Sequence, residues 1–248
     1  MAHRRSILAA LTGFGATAAL GAFSSRTRAQ QGGTRAARET IAVLGTGHFG
    51  GAIGKRLGAI GFPIVYGSRV PDAARVKALV RETGMRASAA SQGDAVGRGA
   101  IVVFAVPWES VEGLLPALGD LTGKLLIDPM IAKPKIVEHY PFPAATSTAE
   151  QLQGWAPNAH VVKAFPTISY MTLANPRRVG GPLSIPLAAA DRKAKERVAQ
   201  LIAELGFNPL DTGSLVAARY IENVLWFEVA CNFTNKKSFE LYMRSVPT

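Results

Sequence analysis

Short apolar runs alternate along this chain with stretches whose apolar residues recur every three or four positions. Residues 41–44, 64–66, 101–106 and 125–127 are compact apolar runs that predict buried strands. Helical spacing follows the first run, where Ile53, Leu57 and Ile60 share one face. Because strands separated by helices are typical of a doubly wound sheet, we predict a Rossmann-type α/β fold with a mostly parallel sheet.

The same alternation continues into the C-terminal third of the chain. Residues 161–164, 183–185 and 208–211 are further strand candidates, and residues 191–205 and 215–233 have helical patterns. We therefore expect one domain over residues 40–248, with a short C-terminal strand–helix extension from about residue 160.

The first 29 residues have the composition of a targeting segment. Arg4 and Arg5 precede an apolar run without charges over residues 7–23, and small residues surround a loose cleavage pattern at residues 27–29. The paired arginines resemble a twin-arginine export signal. We predict a signal peptide over residues 1–29, a linker over residues 30–39, and a periplasmic or otherwise exported protein. The alternative is an uncleaved N-terminal segment that anchors the chain to a membrane.

Charge and cysteine content narrow the classes of partner. The net charge is +11, and removal of residues 1–29 leaves 24 basic and 17 acidic residues, a charge of +7. This charge suits an anionic ligand, but no basic cluster is interleaved with aromatic residues, so we predict no nucleic-acid partner. With Cys231 as the one cysteine and four histidines at unrelated spacings, the sequence indicates neither a disulfide framework nor a metal site.

A glycine-rich loop, Gly45-Thr46-Gly47-His48-Phe49-Gly50, carries the strongest functional signal. It directly follows a predicted strand and opens a predicted helix, which is the context that dinucleotide binding requires. The glycines permit a tight turn and close approach of the backbone to a pyrophosphate, whose charge is met by amide groups at the helix N-terminus. The alternative is an ordinary glycine turn.

The end of the second predicted strand indicates which dinucleotide binds. NAD sites usually place an acidic residue there, which accepts a hydrogen bond from the ribose 2′-hydroxyl. This chain has Gly67-Ser68-Arg69 instead. Since arginine donates a fork of hydrogen bonds that fits a 2′-phosphate, NADP(H) is favoured over NAD(H). The alternative for Arg69 is a solvated surface arginine.

The opposite wall of the site should come from the ends of later strands, where ligands collect in open α/β sheets. Ala105, Val106 and Pro107 follow the strongest apolar run, and Trp108 either packs over a ligand ring or begins a helix. Asp128 either binds a ribose hydroxyl or caps the turn that it forms with Pro129.

These positions, together with residues 149–152, 161–165 and 206–215, resemble the NADP oxidoreductases that reduce a deazaflavin coenzyme. The chain is also similar to the oxidoreductase domain of the six-transmembrane epithelial antigen metalloreductases. The resemblance implies that NADPH gives a hydride to a flavin or 5-deazaflavin. It departs at Met130-Ile131 and Pro166, where the family tends to have Asn-Pro and Asn. The predicted cofactor contacts are Gly45, Thr46, Gly47, His48, Phe49, Gly50, Ser68, Arg69, Ala105, Val106, Pro107, Asp128 and Ala164.

Other functions stay open at this point. A sensor or interaction domain would bind NADP(H) without turnover, and an imine or 2-hydroxy acid dehydrogenase would use a similar N-terminal domain. No Ser-His-Asp or Cys-His constellation is present, so no catalytic residue is assigned. Lys163 either holds an anionic group of the acceptor or forms a structural ion pair. The expected partners are a small redox acceptor and a second copy of the chain in a homodimer.

Overall fold

The computed structural model describes residues 38–132, 145–236 and 240–244. The predicted signal peptide and most of the predicted linker lie outside these residues. The described residues belong to one compact unit, Ala37–Thr248. No helix in the described part of the chain is long and apolar enough to cross a membrane.

Eight strands form one sheet, as the alternation of apolar runs predicts. Their order across the sheet is β3-β2-β1-β4-β5-β6-β7-β8, and every pair is parallel except β6 with β7. The strands are β1 (Ile41–Leu44), β2 (Ile64–Gly67), β3 (Ala87–Ala90), β4 (Ile101–Phe104), β5 (Leu125–Asp128), β6 (His160–Ala164), β7 (Ser184–Ala189) and β8 (Asn208–Asp211). The crossover from β3 to β4 reverses the strand order beside β1, which is where doubly wound folds bind ligands.

Eight α-helices are described on the two faces of this sheet. They are α1 (His48–Ala59), α2 (Ala74–Thr83), α3 (Gln92–Arg98), α4 (Val111–Leu114), α5 (Thr148–Trp155), α6 (Tyr170–Ala174), α7 (Arg192–Glu204) and α8 (Ala218–Asn235). Helices α1, α6 and α7 pack into one apolar core and α3, α5 and α8 into the other. The central strands β1, β2, β4 and β5 are buried along their whole length, as expected for a sheet covered on both faces.

The predicted Rossmann-type fold is confirmed, with two additions that the apolar pattern did not reveal. Strand β3 has the sequence ASAA and is only half-buried at the sheet edge, so it lacks the apolar run that marks the other strands. Helix α3 is seven residues long with two buried residues, which is too short for a clear helical period. The C-terminal extension is part of the same sheet, because β6, β7 and β8 pair in sequence.

Candidate functional site

The glycine loop adopts the tight turn that its sequence predicts. Gly45 has a φ of +106°, and a Cβ atom there would lie 2.2 Å from the carbonyl oxygen of Ala105. A Cβ atom at Gly50 would lie 2.2 Å from the carbonyl oxygen of Gly45. Both positions therefore need glycine, one for its backbone conformation and both for close packing. This packing brings the end of β1, the start of α1 and the end of β4 together.

The N-terminus of α1 is available to a ligand. In the described chain no side chain caps its first turn, and Gly47 is the N-cap residue. A Cβ atom at Gly47 would meet nothing within 4 Å, so this glycine opens onto free space. Uncapped amide groups and the helix dipole together favour an anion at this point.

The end of β2 supplies side chains that suit a second anion. Ser68 is 7% exposed, and its hydroxyl oxygen accepts a hydrogen bond of 3.2 Å from the amide of Val70. Arg69 is exposed, and no carboxylate of residues 38–132, 145–236 and 240–244 forms an ion pair with it. A hydroxyl and a free guanidinium side by side can donate to a phosphate.

These parts meet in a cleft of about 390 Å³ at the carboxyl edge of the sheet. Eight of the predicted residues line it: Gly45, Thr46, Gly47, Ser68, Arg69, Ala105, Val106 and Pro107. Sequence reasoning missed Arg75 and Gln92, which also line the cleft. A second cleft of about 740 Å³ shares Thr46, Gly47 and Arg75 with the first and runs between α1, α2 and α6.

The remaining loop residues lie beside the first cleft. His48 lines the second cleft, and its ring stacks on Tyr170 with centroids 4.8 Å apart. Phe49 is half-buried and packs against the core, while Gly50 is buried under the loop.

Trp108 stacks on Trp155 with centroids 5.0 Å apart, so a neighbouring indole covers one face of its ring.

The prediction that Asp128 binds a ribose hydroxyl is corrected, because its carboxylate is fully buried and used by the protein. One carboxylate oxygen accepts a hydrogen bond of 2.7 Å from the amide of Met130, as the turn-capping alternative expects. The other accepts from the hydroxyl of Thr148 at 2.7 Å and lies 3.2 Å from the Lys163 ammonium. No part of Asp128 is exposed, so it cannot contact a ligand in this conformation.

Lys163 is the centre of this buried cluster, which we call the β5–β6 cluster: Asp128, Thr148, Lys163 and Glu222. Its ammonium lies 2.7 Å from a carboxylate oxygen of Glu222 and donates to the hydroxyl of Thr148 at 2.8 Å. It also donates to the carbonyl oxygen of Met130. Of the two alternatives for Lys163, the structural ion pair is therefore the one observed.

Glu222 ties α8 to this cluster. Its carboxylate accepts a hydrogen bond of 2.9 Å from the amide of Thr148 and also lies 2.9 Å from the hydroxyl oxygen of Thr148, whose single proton Asp128 and Glu222 share. Burial raises the pKa of Glu222 above its usual range and the charge of Asp128 adds to this, although the Lys163 ammonium opposes it. The cluster joins the ends of β5 and β6 to the start of α5 and the first turns of α8.

The prediction for Ala164 also needs correction. Its side chain is fully buried and belongs to the apolar core, so it presents no surface to a ligand. The next residue, Phe165, is buried and has a φ of 71°, a conformation that non-glycine side chains seldom adopt. The chain thus turns sharply inside the core at the end of β6.

Part of the chain that forms this site matches a known protein family. Residues 40–132 match the family described as NADP oxidoreductase, coenzyme F420-dependent. The chain is 33% identical over 188 residues to metalloreductase STEAP3 of Rattus norvegicus, an alignment that covers 74% of this chain and 36% of the relative. It is 30% identical over 192 residues to human metalloreductase STEAP2, again covering 36% of the relative. The chain thus spans about a third of the length of the curated relatives it matches.

Solved structures agree with this assignment. A crystal structure described as a putative F420-dependent NADP reductase from Arthrobacter sp. FB24 has a TM-score of 0.73 and 27% identity. It is matched over its whole length and over 84% of this chain. An imine reductase from Myxococcus stipitatus, at 20% identity and a TM-score of 0.60, shares the fold. The glycine loop and the residues that line the cleft lie within residues 40–132, the part of the chain that matches the F420-dependent NADP oxidoreductase family.

Proposed function

We propose that this chain binds NADP(H) in the cleft beside the glycine loop and transfers a hydride from NADPH to a flavin or 5-deazaflavin acceptor. One observation carries the proposal. The uncapped N-terminus of α1 and the guanidinium of Arg69, which forms no ion pair in the described chain, line a single cleft, although one follows β1 and the other follows β2. Two separate phosphate-binding points in one cleft are what NADP(H) requires and NAD(H) does not.

The residues present fit such a cofactor. The loop from Gly45 to Gly50 would hold the pyrophosphate through backbone amides, and side chains at Gly45 and Gly50 would collide with the neighbouring backbone. Ser68 and Arg69 would hold the 2′-phosphate through a hydroxyl and a guanidinium. Residues 105–107 would form the wall opposite β2.

When bound, NADPH supplies a hydride at its nicotinamide ring. The task of the protein is then to orient this ring against the acceptor and to exclude water, rather than to move protons with an acid or base. Tyr170 and His48 form a stacked aromatic pair beside the loop, and we propose that they cover one side of the reaction space.

The acceptor is proposed from the relatives and the resemblance. The matched relatives include metalloreductases from rat and human, and the matched structure carries the name of an F420-dependent NADP reductase. Both descriptions support reduction that depends on NADP. A flavin or 5-deazaflavin ring is the acceptor that we propose here, because it can take a hydride directly from nicotinamide.

A panel of acceptors tests this function. Purified protein should oxidise NADPH, followed at its nicotinamide absorbance, only when a flavin, a deazaflavin or a ferric chelate is supplied. We expect turnover with a flavin or deazaflavin and little with NADH as donor. Tight binding of NADPH without turnover across the panel would contradict the hydride-transfer proposal.

A sensor that binds NADP(H) without turnover is the second candidate, and one observation favours it. Two predicted cofactor contacts at the ends of β5 and β6, Asp128 and Ala164, are fully buried, whereas the phosphate-binding side is open. The imine and 2-hydroxy acid dehydrogenase alternative has weaker support, because its structural neighbours are 20% identical or less and share only the fold.

We also propose export through the twin-arginine route, on the basis of Arg4, Arg5 and the apolar run that follows. This route moves folded proteins, so the chain would cross the membrane with its cofactor already bound. Replacing Arg4 and Arg5 by lysine should retain the protein in the cytoplasm, and continued export would show another route. The homodimer and membrane anchoring through an uncleaved N-terminus stay predictions.

A further inference from the structure

Arg75 occupies an unusual position at the entrance of the proposed NADP(H) site. It lies in the first turn of α2 and is exposed. Its guanidinium donates a hydrogen bond of 3.1 Å to the hydroxyl of Thr46, which belongs to the glycine loop. Arg75 therefore reaches from α2 across to the loop after β1, and it lines both clefts that open there.

Two nearby lysines form ion pairs with carboxylates, but Arg75 does not in the described chain. Lys77 lies 3.1 Å from Asp72, and Lys55 lies 3.1 Å from Glu82. Within residues 38–132, 145–236 and 240–244, no carboxylate forms an ion pair with Arg75. Its hydrogen-bond partner, the Thr46 hydroxyl, is neutral. The positive charge of Arg75 is therefore uncompensated within the described chain.

The position of this charge at a helix N-terminus favours an anion nearby. The N-cap residue of α2 is Ala73, which has no side chain to cap the helix, and the first turn contains no acidic residue. A cation in the first turn of a helix is opposed by the positive end of the helix dipole. An anion in the cleft would compensate both the dipole and the two arginines, Arg69 and Arg75.

We propose that Arg75 is a second arginine for the cofactor 2′-phosphate, and that Thr46 holds it in place before the cofactor binds. This inference rests on the proposed function and deepens it. Arg69 would contact the phosphate from the end of β2, and Arg75 would contact it from the start of α2. The specificity for NADP(H) over NAD(H) then depends on two guanidiniums from different elements.

Thr46 suits this positioning role. Its hydroxyl oxygen accepts from Arg75 and retains one proton that it can donate to a phosphate oxygen. The side chain would thus order Arg75 and lower the entropy lost when the cofactor binds. The pyrophosphate needs Arg75 less, because the backbone amides of the glycine loop are already directed at it.

Binding measurements on the full chain test this proposal without requiring catalysis. The variant Arg75→Ala is compared with Arg81→Ala, which removes an exposed arginine from the last turn of the same helix. The probes are NADPH and NADH, followed by nicotinamide fluorescence, and adenosine 2′,5′-bisphosphate against adenosine 5′-monophosphate, followed by calorimetry. These pairs of ligands differ by the 2′-phosphate alone.

We expect Arg75→Ala to weaken the binding of NADPH and of the bisphosphate by on the order of tenfold, as for a lost charge-assisted hydrogen bond. Binding of NADH should change by less than about twofold, and Arg81→Ala should resemble the unaltered protein. Arg75→Lys should recover part of the loss, since it keeps the charge but not the fork of donors. Thr46→Val should weaken NADPH binding by a smaller factor than Arg75→Ala.

Three results distinguish a failure of the Arg75 proposal from a failure of the proposed function. Equal weakening of NADPH and NADH by Arg75→Ala would place Arg75 at the pyrophosphate and overturn the proposal. Unchanged NADPH binding would also overturn it, provided that Arg69→Ala still removes the preference for NADPH. If the unaltered protein has no preference for NADPH, the proposed function itself fails, whatever Arg75 does.

Discussion

Charged residues lie at two places along the carboxyl edge of the sheet, exposed at one and buried at the other. Beside β1 and β2, Arg69 and Arg75 are exposed and lack carboxylate partners in the described chain. Beside β5 and β6, the side chains of Lys163, Asp128 and Glu222 are at most 2% exposed and paired with one another. The first group is available to a ligand, whereas the second is used by the fold.

The difference shows that a charged residue at a strand end is not by itself a ligand contact. A buried ion pair gains stability only if both charges keep their partners, and removal of one partner leaves a buried charge that is strongly destabilising. The β5–β6 cluster meets this condition, since Thr148 and the carbonyl of Met130 supply further hydrogen bonds. In the described chain the exposed arginines of the cleft have no carboxylate partner, and Arg75 has only the neutral hydroxyl of Thr46, so an anionic ligand is the partner that their positions favour.

The largest expected effect comes from breaking the β5–β6 cluster. Lys163→Met should lower the free energy of unfolding by about 3–5 kcal/mol, because Asp128 and Glu222 would then be buried without a counter-charge. Denaturant unfolding followed by far-UV circular dichroism measures this loss. The control Lys77→Met removes an exposed ion pair with Asp72 and should change stability by less than about 1 kcal/mol. Equal effects of the two variants would contradict the structural role of the cluster.

An intermediate effect is expected from reversing a charge in the cleft. Arg69→Asp should shift the ratio of affinities for NADPH and NADH towards NADH by on the order of tenfold to a hundredfold, as one charge-assisted contact is lost and a repulsive one is gained. Titration of both cofactors measures the ratio, with Arg81→Asp as the control for net charge. The protein should stay as stable as before, because Arg69 has no ion-pair partner in the described chain. An unchanged ratio would contradict our account of β2.

The smallest effect is a pH dependence of stability. Burial raises the pKa of Glu222 in the folded protein, so the folded state binds its proton more tightly than the unfolded state. The resulting stabilisation is complete below the unfolded pKa of about 4.3 and is lost as the pH rises through the raised value. Glu222→Gln removes this titration, so its stability relative to the unaltered protein should improve as the pH rises from 4 towards neutrality. A relative stability that stays constant over this range would contradict the pKa direction.

The sequence predicts much of the cleft beside β1 and β2 and little of the β5–β6 cluster. The turn after β1 and the residues at the end of β2 are specified locally, since glycine geometry and residue type at a strand end restrict what they can do. Arg75 was missed because it lies six residues beyond Arg69 and reaches the loop only through the packing of α2. No local pattern marks such a contact.

The β5–β6 cluster depends on tertiary contacts that a sequence pattern does not contain. Asp128 and Glu222 are 94 positions apart, yet both contact the ammonium of Lys163. Asp128 is buried beside Thr148 of α5 in the β5–β6 cluster, whereas Ala164 lies in the apolar core into which α1, α6 and α7 pack, so the predictions of cofactor contacts there were wrong. Strand β3 was missed for a simpler reason, because alanine and serine at an edge carry no strong apolar signal.

We propose that the cleft beside the glycine loop selects NADP(H) over NAD(H). Titration of the unaltered protein with NADPH and with NADH, under the same buffer and salt, tests it most directly. We predict that NADPH binds at least about tenfold more tightly, since only NADPH brings a 2′-phosphate to Arg69 and Arg75, which have no carboxylate partner in the described chain. Equal affinity for the two cofactors, or tighter binding of NADH, would contradict the account.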